Sequence, residues 1–398
     1  MATIRLKPGH VQPLWAGHPW VFAQAIDDLR GGATAGDEVS VIDPRGNFIG
    51  RGLYSPGSAI PVRILVRDVT TAIDVPFFVR KFTRARELRS EFGLGTDEGT
   101  TGLRWIHAEG DGLPGIIVDR LGDTIAVQFL TIGMKLRDRM IVQALEEVFR
   151  PKTIYDRTPA SVGKNEGFEP TPGHLAGEPI ERFTFSERGL KYSVPTELGQ
   201  KTGYYFDQRG LRGRVEELAK GRRVLDSYSY VGSFALAAAR GGAKEIVAVD
   251  ESALASEVGA ECARLNGLDA NITFARADAR KVLKEAGEKQ GYDLTIVDPP
   301  RLAPTRGSRD QALVAYSKLA ELGARATNPG GLLVLCSCSA AVDLFALTRA
   351  LANGTLRANV QAQVLERWTQ GADHPVPAAF PEGLYLKALI ARIEPRIT

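Results

Sequence analysis

RRVLDSYSYVGSFALAAARGGAKEIVAVD, residues 222–250, decides the fold. Val224–Ser227 reads as a short buried strand, Ser233–Arg240 as a helix and Glu245–Asp250 as a second strand. A strand, a crossover helix and another strand in so short a space form a parallel pair with a right-handed connection. Outward from it the alternation continues. Strands are expected at Ile272–Arg276, Leu294–Asp298 and Leu332–Ser337, with helices at Ala253–Asn266, Arg309–Thr327 and Ala341–Leu351. Gln361–Trp368 and Leu384–Ile393 supply two closing strands, so the expectation is a seven-stranded, mostly parallel α/β sheet.

Upstream the pattern differs. Residues 1 to about 70 carry short β-branched runs, Glu38–Asp43 and Ile60–Val66, separated by turns at Pro44–Asn47 and Ser55–Gly57. Pro76–Phe92 reads as a helix bearing Arg80, Lys81, Arg84, Arg86 and Arg89. A solvated basic face is its plainer reading, ahead of a phosphate-contacting surface. Residues 100–195 alternate strands (Gly115–Val118, Thr124–Leu130, Thr153–Asp156, Phe183–Val194) with a helix at Lys135–Phe149 and a polar loop at Thr158–Pro179. The domain expectation is therefore a small β-rich module over 1–72, a linker helix and central α+β domain over 73–195, and the α/β domain over 196–398.

The 398 residues suit two or three domains, and 44% apolar against 24% charged residues excludes wholesale disorder. A net charge of +3 names no partner by itself, although 36 arginines against 14 lysines permit a nucleic-acid one. Cys262, Cys336 and Cys338 form neither a CxxC pair nor a zinc-spaced set, so no metal and no disulfide framework are expected. The N-terminal MATIRLKPGH has no signal-peptide core, and the apolar run near Gly331–Val342 is too short to span a bilayer. The expectation is a cytoplasmic protein without a membrane partner.

In an open α/β sheet, ligands bind beyond the carboxyl ends of the strands. The first strand of this sheet runs into Asp226-Ser227-Tyr228-Ser229-Tyr230-Val231-Gly232. The loop lacks GxGxxG, which excludes the nicotinamide and flavin fingerprint. The second strand ends in Asp250, followed by Glu251 and Ser252, where a carboxylate can accept two ribose hydroxyls. The third leads into Asp278-Ala279, within reach of an adenine amino group. Any one such Asp is equally well a helix N-cap; three at successive strand ends fit S-adenosyl-L-methionine.

The fourth strand ends in Asp298-Pro299-Pro300-Arg301, whose prolines fix the backbone and aim the carboxyl at the cleft. Methyltransferases acting on planar amino groups use a similar turn with an aromatic residue after the prolines; Arg301 stands there instead. The fifth ends in Cys336-Ser337-Cys338-Ser339. A cysteine on a buried strand is ordinarily a small hydrophobe, which suits Cys336 and Cys262. Cys338 lies at the mouth of the sheet and is the candidate nucleophile: a thiolate adding to carbon 6 of cytosine makes carbon 5 able to attack a sulfonium methyl. Asp298 is the candidate carboxyl for the ring nitrogen and amine.

Several stretches together resemble the RlmI-like family of large-subunit rRNA 5-methylcytosine methyltransferases, over essentially the whole chain. They are LKPGH and GHPWVFAQAI near the N-terminus, HAEGDGLPGIIVDRLGD at 107–123, QKTGYYFDQR at 200–209, VLDSYSYVG at 224–232, DPPR at 298–301, CSCS at 336–339 and ADHPVPAAFPEGLYLKAL at 372–389. The resemblance implies a Rossmann-like class I methyltransferase domain, an N-terminal PUA-like RNA-binding domain and a central α+β domain. It implies cofactor contacts from Gln200, Lys201, Thr202, Gly203, Phe206, Asp207 and Gln208, and from Asp226, Ser227, Tyr228, Ser229, Gly232, Asp250, Glu251, Ser252, Asp278 and Ala279. Cys338 and Asp298 are the implied catalytic pair, and Pro299, Pro300, Arg301 and His374 the substrate contacts, with His374 equally readable as a structural hydrogen-bonder. Ser227, Val231 and Arg301-Leu302 depart from the family's usual Cys, Thr and Lys-Phe. The expected partner is 23S ribosomal RNA, naked or partly assembled, and a homodimer is compatible with the sequence. The rivals are an amino-group methyltransferase acting on guanine or adenine, and a non-catalytic RNA-binding assembly factor.

Overall fold

A computed structural model describes residues 1–96, 99–198, 202–289, 291–302 and 306–396. The chain divides into two compact units, the first Met1–Glu187 with Pro195–Phe206 and Ala372–Gly383, the second Arg188–Val194, Asp207–Gly371 and Leu384–Thr398.

The first unit holds two sheets. Six strands lie in the order Trp20–Val21, Val62–Val66, Phe48–Tyr54, Glu38–Ile42, Ala2–Leu6, Ile26–Arg30. Alternation explains their packing: in Ala2–Leu6 the residues Ala2, Ile4 and Leu6 are buried, and they join Val39, Val41, Val62 and Ile64 in one core. The second sheet has five strands, Gly173–Gly177, Thr153–Asp156, Thr124–Phe129, Ile116–Leu121 and Gly102–His107. Against it pack helices Val75–Glu91 and Asp138–Phe149 through Phe77, Phe78, Phe82, Ile141 and Leu145.

Two local expectations change. The loop expected at Thr158–Pro179 contains helix Ala160–Glu166 and strand Gly173–Gly177. The sequence ASVGKNE forms helix poorly, but buried Glu166 finds distant partners in the Ser55 hydroxyl (2.7 Å), the Ile132 amide (3.3 Å) and the Arg63 guanidinium (3.4 Å). Gly167, at φ +75°, ends the helix in the left-handed conformation. The second change concerns Arg89. On helix Val75–Glu91 the side chains of Arg80, Arg84 and Arg86 stay exposed, but Arg89 is fully buried and bidentate to Asp111 at 2.5 and 2.8 Å. It is a core residue, not part of a solvated stripe.

The second unit is built on a seven-stranded sheet: β1 (Arg223–Ser227), β2 (Glu245–Asp250), β3 (Ile272–Arg276), β4 (Tyr292–Val297), β5 (Thr327–Ser337), β6 (Val360–Thr369) and β7 (Lys387–Pro395). Their order is β3-β2-β1-β4-β5-β7-β6, parallel except for β7, which is antiparallel to both neighbours. The strand order reverses between β1 and β4, and that reversal opens the crevice for a ligand at their carboxyl ends. Helices cover both faces. One face buries Leu225, Val297, Leu333, Leu335 and Leu389; the other buries Val224, Ile296, Val334, Cys336 and Ile390. The seven-stranded α/β expectation is met. The last strand starts three residues later than expected because the Tyr385 and Leu386 amides both donate to the Gln370 side-chain carbonyl (3.2 Å each), not to a neighbouring strand. Among the described residues no helix is long and apolar enough to cross a membrane.

Candidate active site

β1 and β4 bring the first acidic pair together. The register sets Asp226 opposite Ile296, so Asp298 lies two residues beyond that partner, just past the end of β4. Asp226 is fully buried; its Oδ2 accepts the Ala235 amide at 3.0 Å, while Oδ1 has no hydrogen-bond partner among the described residues. Burial pushes its carboxyl up to about 8, with nearby Asp298 and Asp250 adding to the effect. Gln208 donates from Nε2 to Asp298 Oδ2 at 2.8 Å, and its own Oε1 is likewise buried without a partner among the described residues. Two buried acceptors lacking donors, beside the crevice, fit a ligand that brings N–H groups. S-adenosylmethionine, cationic and bearing an ammonium, is such a ligand.

The loop after β1 is strained and held. Tyr228 (φ +65°) and Tyr230 (φ +52°) occupy the left-handed region, as does Gly232 (φ +70°). For tyrosine this costs on the order of 1–3 kcal/mol per residue unless the surroundings enforce it. Here they do: the Ser229 amide donates to the Val249 carbonyl (2.9 Å), the Tyr230 amide to Asp250 Oδ2 (2.9 Å) and the Gly232 amide to the Ser229 carbonyl (2.8 Å). Gly232 is needed for space as well, since a Cβ there would lie 2.6 Å from the Phe274 ring. Burial raises the half-buried Tyr228 phenol to about 12.

Several other candidates carry structural duties. The Ser227 hydroxyl is buried and donates to the Ile296 carbonyl at 2.5 Å. Asp250 Oδ1 accepts the Ser252 amide, and Ser252 itself caps helix Ala253–Leu265 through the Ala255 amide. Asp278 caps helix Ala279–Glu288 and pairs with Arg280; that arginine, bonded to it, holds its carboxyl below the usual range. Glu251 is exposed and Ala279 buried. Thr202, Gly203 and Phe206 belong to the first unit, Asp207 and Gln208 to the second; Gln200 and Lys201 lie outside the described residues. His374 also belongs to the first unit, where it is buried with Nδ1 2.9 Å from Asp373 Oδ1 and its ring tilted against His107 at 4.8 Å.

The end of β5 separates the two cysteines. Cys336 is fully buried, and burial with the nearby charges of Asp298, Cys338 and Asp226 drives its thiol well above the ordinary range. Cys338, two residues on, is partly exposed. Pro299 is buried, whereas Pro300 and Arg301 are exposed. Beneath Cys338 lies a hydroxyl group the sequence did not flag: the Ser337 hydroxyl donates to the Tyr316 phenol (2.9 Å), which is 3.2 Å from Ser339 Oγ. Tyr385 was also missed; its phenol donates to Asp207 Oδ2 at 2.7 Å. Tyr316 sits in ordinary helical sequence, and Tyr385, although inside the stretch 372–389, has nothing in its spacing to single it out.

Asp226 gives a testable pH effect. Its folded value, about 8, lies above the unfolded 3.8, so its neutral form stabilises the fold at low pH, and that stability is lost as pH rises toward 8. Across that window the slope is about 1.4 kcal/mol per pH unit. Asp226→Asn does not titrate. In cofactor-free protein, denaturant melts at pH 5 and 8.5 should show the variant gaining on wild type at the higher pH; parallel pH profiles would refute the assignment.

The chain matches the PUA-like domain family over residues 4–67 and the S-adenosylmethionine-dependent methyltransferase family over residues 166–391. It is 39% identical over 394 residues to the ribosomal RNA large subunit methyltransferase I of Shewanella denitrificans, covering 98% of this chain and 99% of that one. To the protein of the same name from Aliivibrio fischeri it is 38% identical with the same coverage. Among solved structures, that of SMU.776, provisionally described as a methyltransferase and complexed with SAH, aligns with a TM-score of 0.85 at 22% identity. The alignment spans 98% of this chain and 100% of the other.

Proposed function

The chain belongs to the ribosomal RNA large subunit methyltransferase I family, and from that premise we propose that it methylates carbon 5 of a cytosine in 23S ribosomal RNA through a covalent bond to Cys338. It is an S-adenosylmethionine-dependent methyltransferase, and the cofactor supplies an electrophilic methyl group. Asp226, Gln208, Asp250 and the loop Tyr228–Gly232 are the residues of the second unit suited to hold it. On the first unit, Thr202, Gly203 and Phe206 are proposed to contact it as well.

The observation that carries the reading is the contrast at the end of β5, a sealed thiol at Cys336, beside Asp298, and a partly exposed one at Cys338, two residues further on. Cys338 Sγ, as thiolate, bonds to carbon 6 of the base, and the electron pair displaced to carbon 5 takes the methyl group. The carbon-5 proton then leaves, its bonding electrons re-form the 5,6 double bond, and the thiolate is expelled. Asp298, already receiving Gln208, holds the ring nitrogen and exocyclic amine and stabilises the charge that develops there. Pro299, Pro300, Arg301 and His374 are proposed to contact the RNA. Residues 1–72 bind RNA as the PUA-like module, 73–195 form the linker and central domain, and 196–398 carry the chemistry. PUA-like recognition of structured RNA rests on shape, phosphates and 2′-hydroxyls.

The test is a methylation assay on 23S RNA, naked and partly assembled, with nucleoside mass spectrometry. The expected product is 5-methylcytidine, together with a crosslink to RNA containing 5-fluorocytosine. N2-methylguanosine or N6-methyladenosine would overturn the reading, and so would the absence of any turnover.

A further inference from the structure

Lys387 has no part in the chemistry above, yet its position is unusual. It is the first residue of β7, paired with Ser337 across β5 and with Thr369 across β6, and only 2% exposed. Alternation along β7 sets it on the face shared by Leu389 and Ala391. A lysine inside a sheet is rarely kept without compensation. Here the ammonium donates to two backbone carbonyls, Ser339 at 3.0 Å and Tyr385 at 3.1 Å, and among the described residues no carboxylate lies within 4 Å of it.

The two carbonyls are informative. Ser339 follows Cys338 directly, so Nζ ties down the backbone just past the thiol. On the same face, Ser337 and Ser339 are both engaged by the Tyr316 phenol. The residues flanking Cys338 are thus held by Lys387 and Tyr316 together. The charges that Lys387 meets come from three other elements: Asp343 at the head of helix Leu344–Arg357, Cys338 past β5, and Arg301 past β4. Asp343 is occupied in capping its helix through the Ala346 amide at 2.7 Å. Cys338 remains as a group whose ionisation would answer the buried ammonium.

We propose that Lys387 is a positioning residue for Cys338, holding the strand end that carries the thiol and supplying the positive charge that keeps it as thiolate. The inference deepens the reading of Cys338 as nucleophile and depends on it for its purpose. Burial brings the Lys387 ammonium down to about 8, while Asp343 and Cys338 push the other way and Arg301 adds to the lowering. Each member of such a pair favours the charged form of the other, so the two titrate together. Lysine suits the place because its charge is compact and its three N–H groups can turn to separate acceptors.

The experiment follows alkylation of Cys338 by iodoacetamide in the full chain without RNA, from pH 5.5 to 10, read by peptide mass spectrometry. Cys262 and Cys336, both buried, serve as internal controls. Lys387→Met is expected to move the alkylation midpoint up by about one pH unit or more and to slow the reaction at pH 7 about tenfold. Lys387→Arg, which keeps the charge, is expected to recover most of it. An unchanged midpoint in natively folded Lys387→Met overturns the proposal. Should that variant not fold, wild-type protein decides: blocking Cys338 with a neutral carbamidomethyl group must lower the Lys387 pKa measured by NMR of the ε-methylene, and no change overturns the proposal. A Cys338→Ala protein that still methylates would refute the nucleophile and leave these titrations standing.

Discussion

Cys338→Ala is expected to lose methyl transfer by on the order of 10⁴-fold, while still binding S-adenosylmethionine. The size of the effect follows from the chemistry of the base. Carbon 5 of cytosine is a poor nucleophile until carbon 6 carries an electron-donating adduct, and Cys338 is the partly exposed thiol at this strand end that can form one. The substitution removes a single sulfur from a partly exposed position, so little packing is lost. The neighbouring position gives the contrast. Cys336→Ala removes a fully buried thiol between Val334 and Ala388, and should lower stability by about 1 kcal/mol with methylation retained. Single-turnover methylation and calorimetric cofactor binding on both variants check the pair. Full activity in Cys338→Ala refutes the covalent route, and loss confined to Cys336→Ala would move the nucleophile.

The sequence reveals what is periodic and what is local. Alternating strand and helix patterns carried the whole sheet of the second unit, since buried parallel strands are short apolar runs ended by polar residues such as Asp226 and Asp250. The same strand ends placed Asp298 and Cys338. Partnerships across the chain were not legible. Glu166 turns an unpromising ASVGKNE into a helix only because Ser55, Arg63 and Ile132 meet it. Tyr316, Tyr385 and Lys387 look like helix, loop and edge-strand residues until packing brings them to the ends of β5 and β7. Asp278 and Ser252 show the reverse: positions read as ligand contacts are also helix caps, and the two duties share one residue type because both call for an exposed oxygen at a strand end.

Arg89→Met is expected to destabilise the first unit by about 3–5 kcal/mol. Arg89 is fully buried and makes five polar contacts outside its own turn or within it: two to Asp111, one each to the carbonyls of Asp373 (2.9 Å), Arg104 (3.1 Å) and Ala85 (3.5 Å). Methionine fills much of the volume and supplies none of the donors, so the Asp111 carboxylate would keep only the His107 amide as a hydrogen-bond donor among the described residues and stay buried. The penalty lies in that uncompensated charge rather than in the lost pair. Arg89→Met with Asp111→Leu should therefore recover most of the stability, as replacing a whole buried ion pair by apolar groups commonly does. The same guanidinium fixes the carbonyl of Asp373, whose carboxyl receives the Arg104 amide (3.2 Å) and faces His374. Hydrogen exchange should thus show faster opening of both Gly102–His107 and the segment Ala372–Gly383 in Arg89→Met. Denaturant unfolding of the single and double variants measures the balance. A single variant within 1 kcal/mol of wild type, on the scale where buried-pair removal costs about 3 or more, would mean that Arg89 is not what holds this segment to its unit.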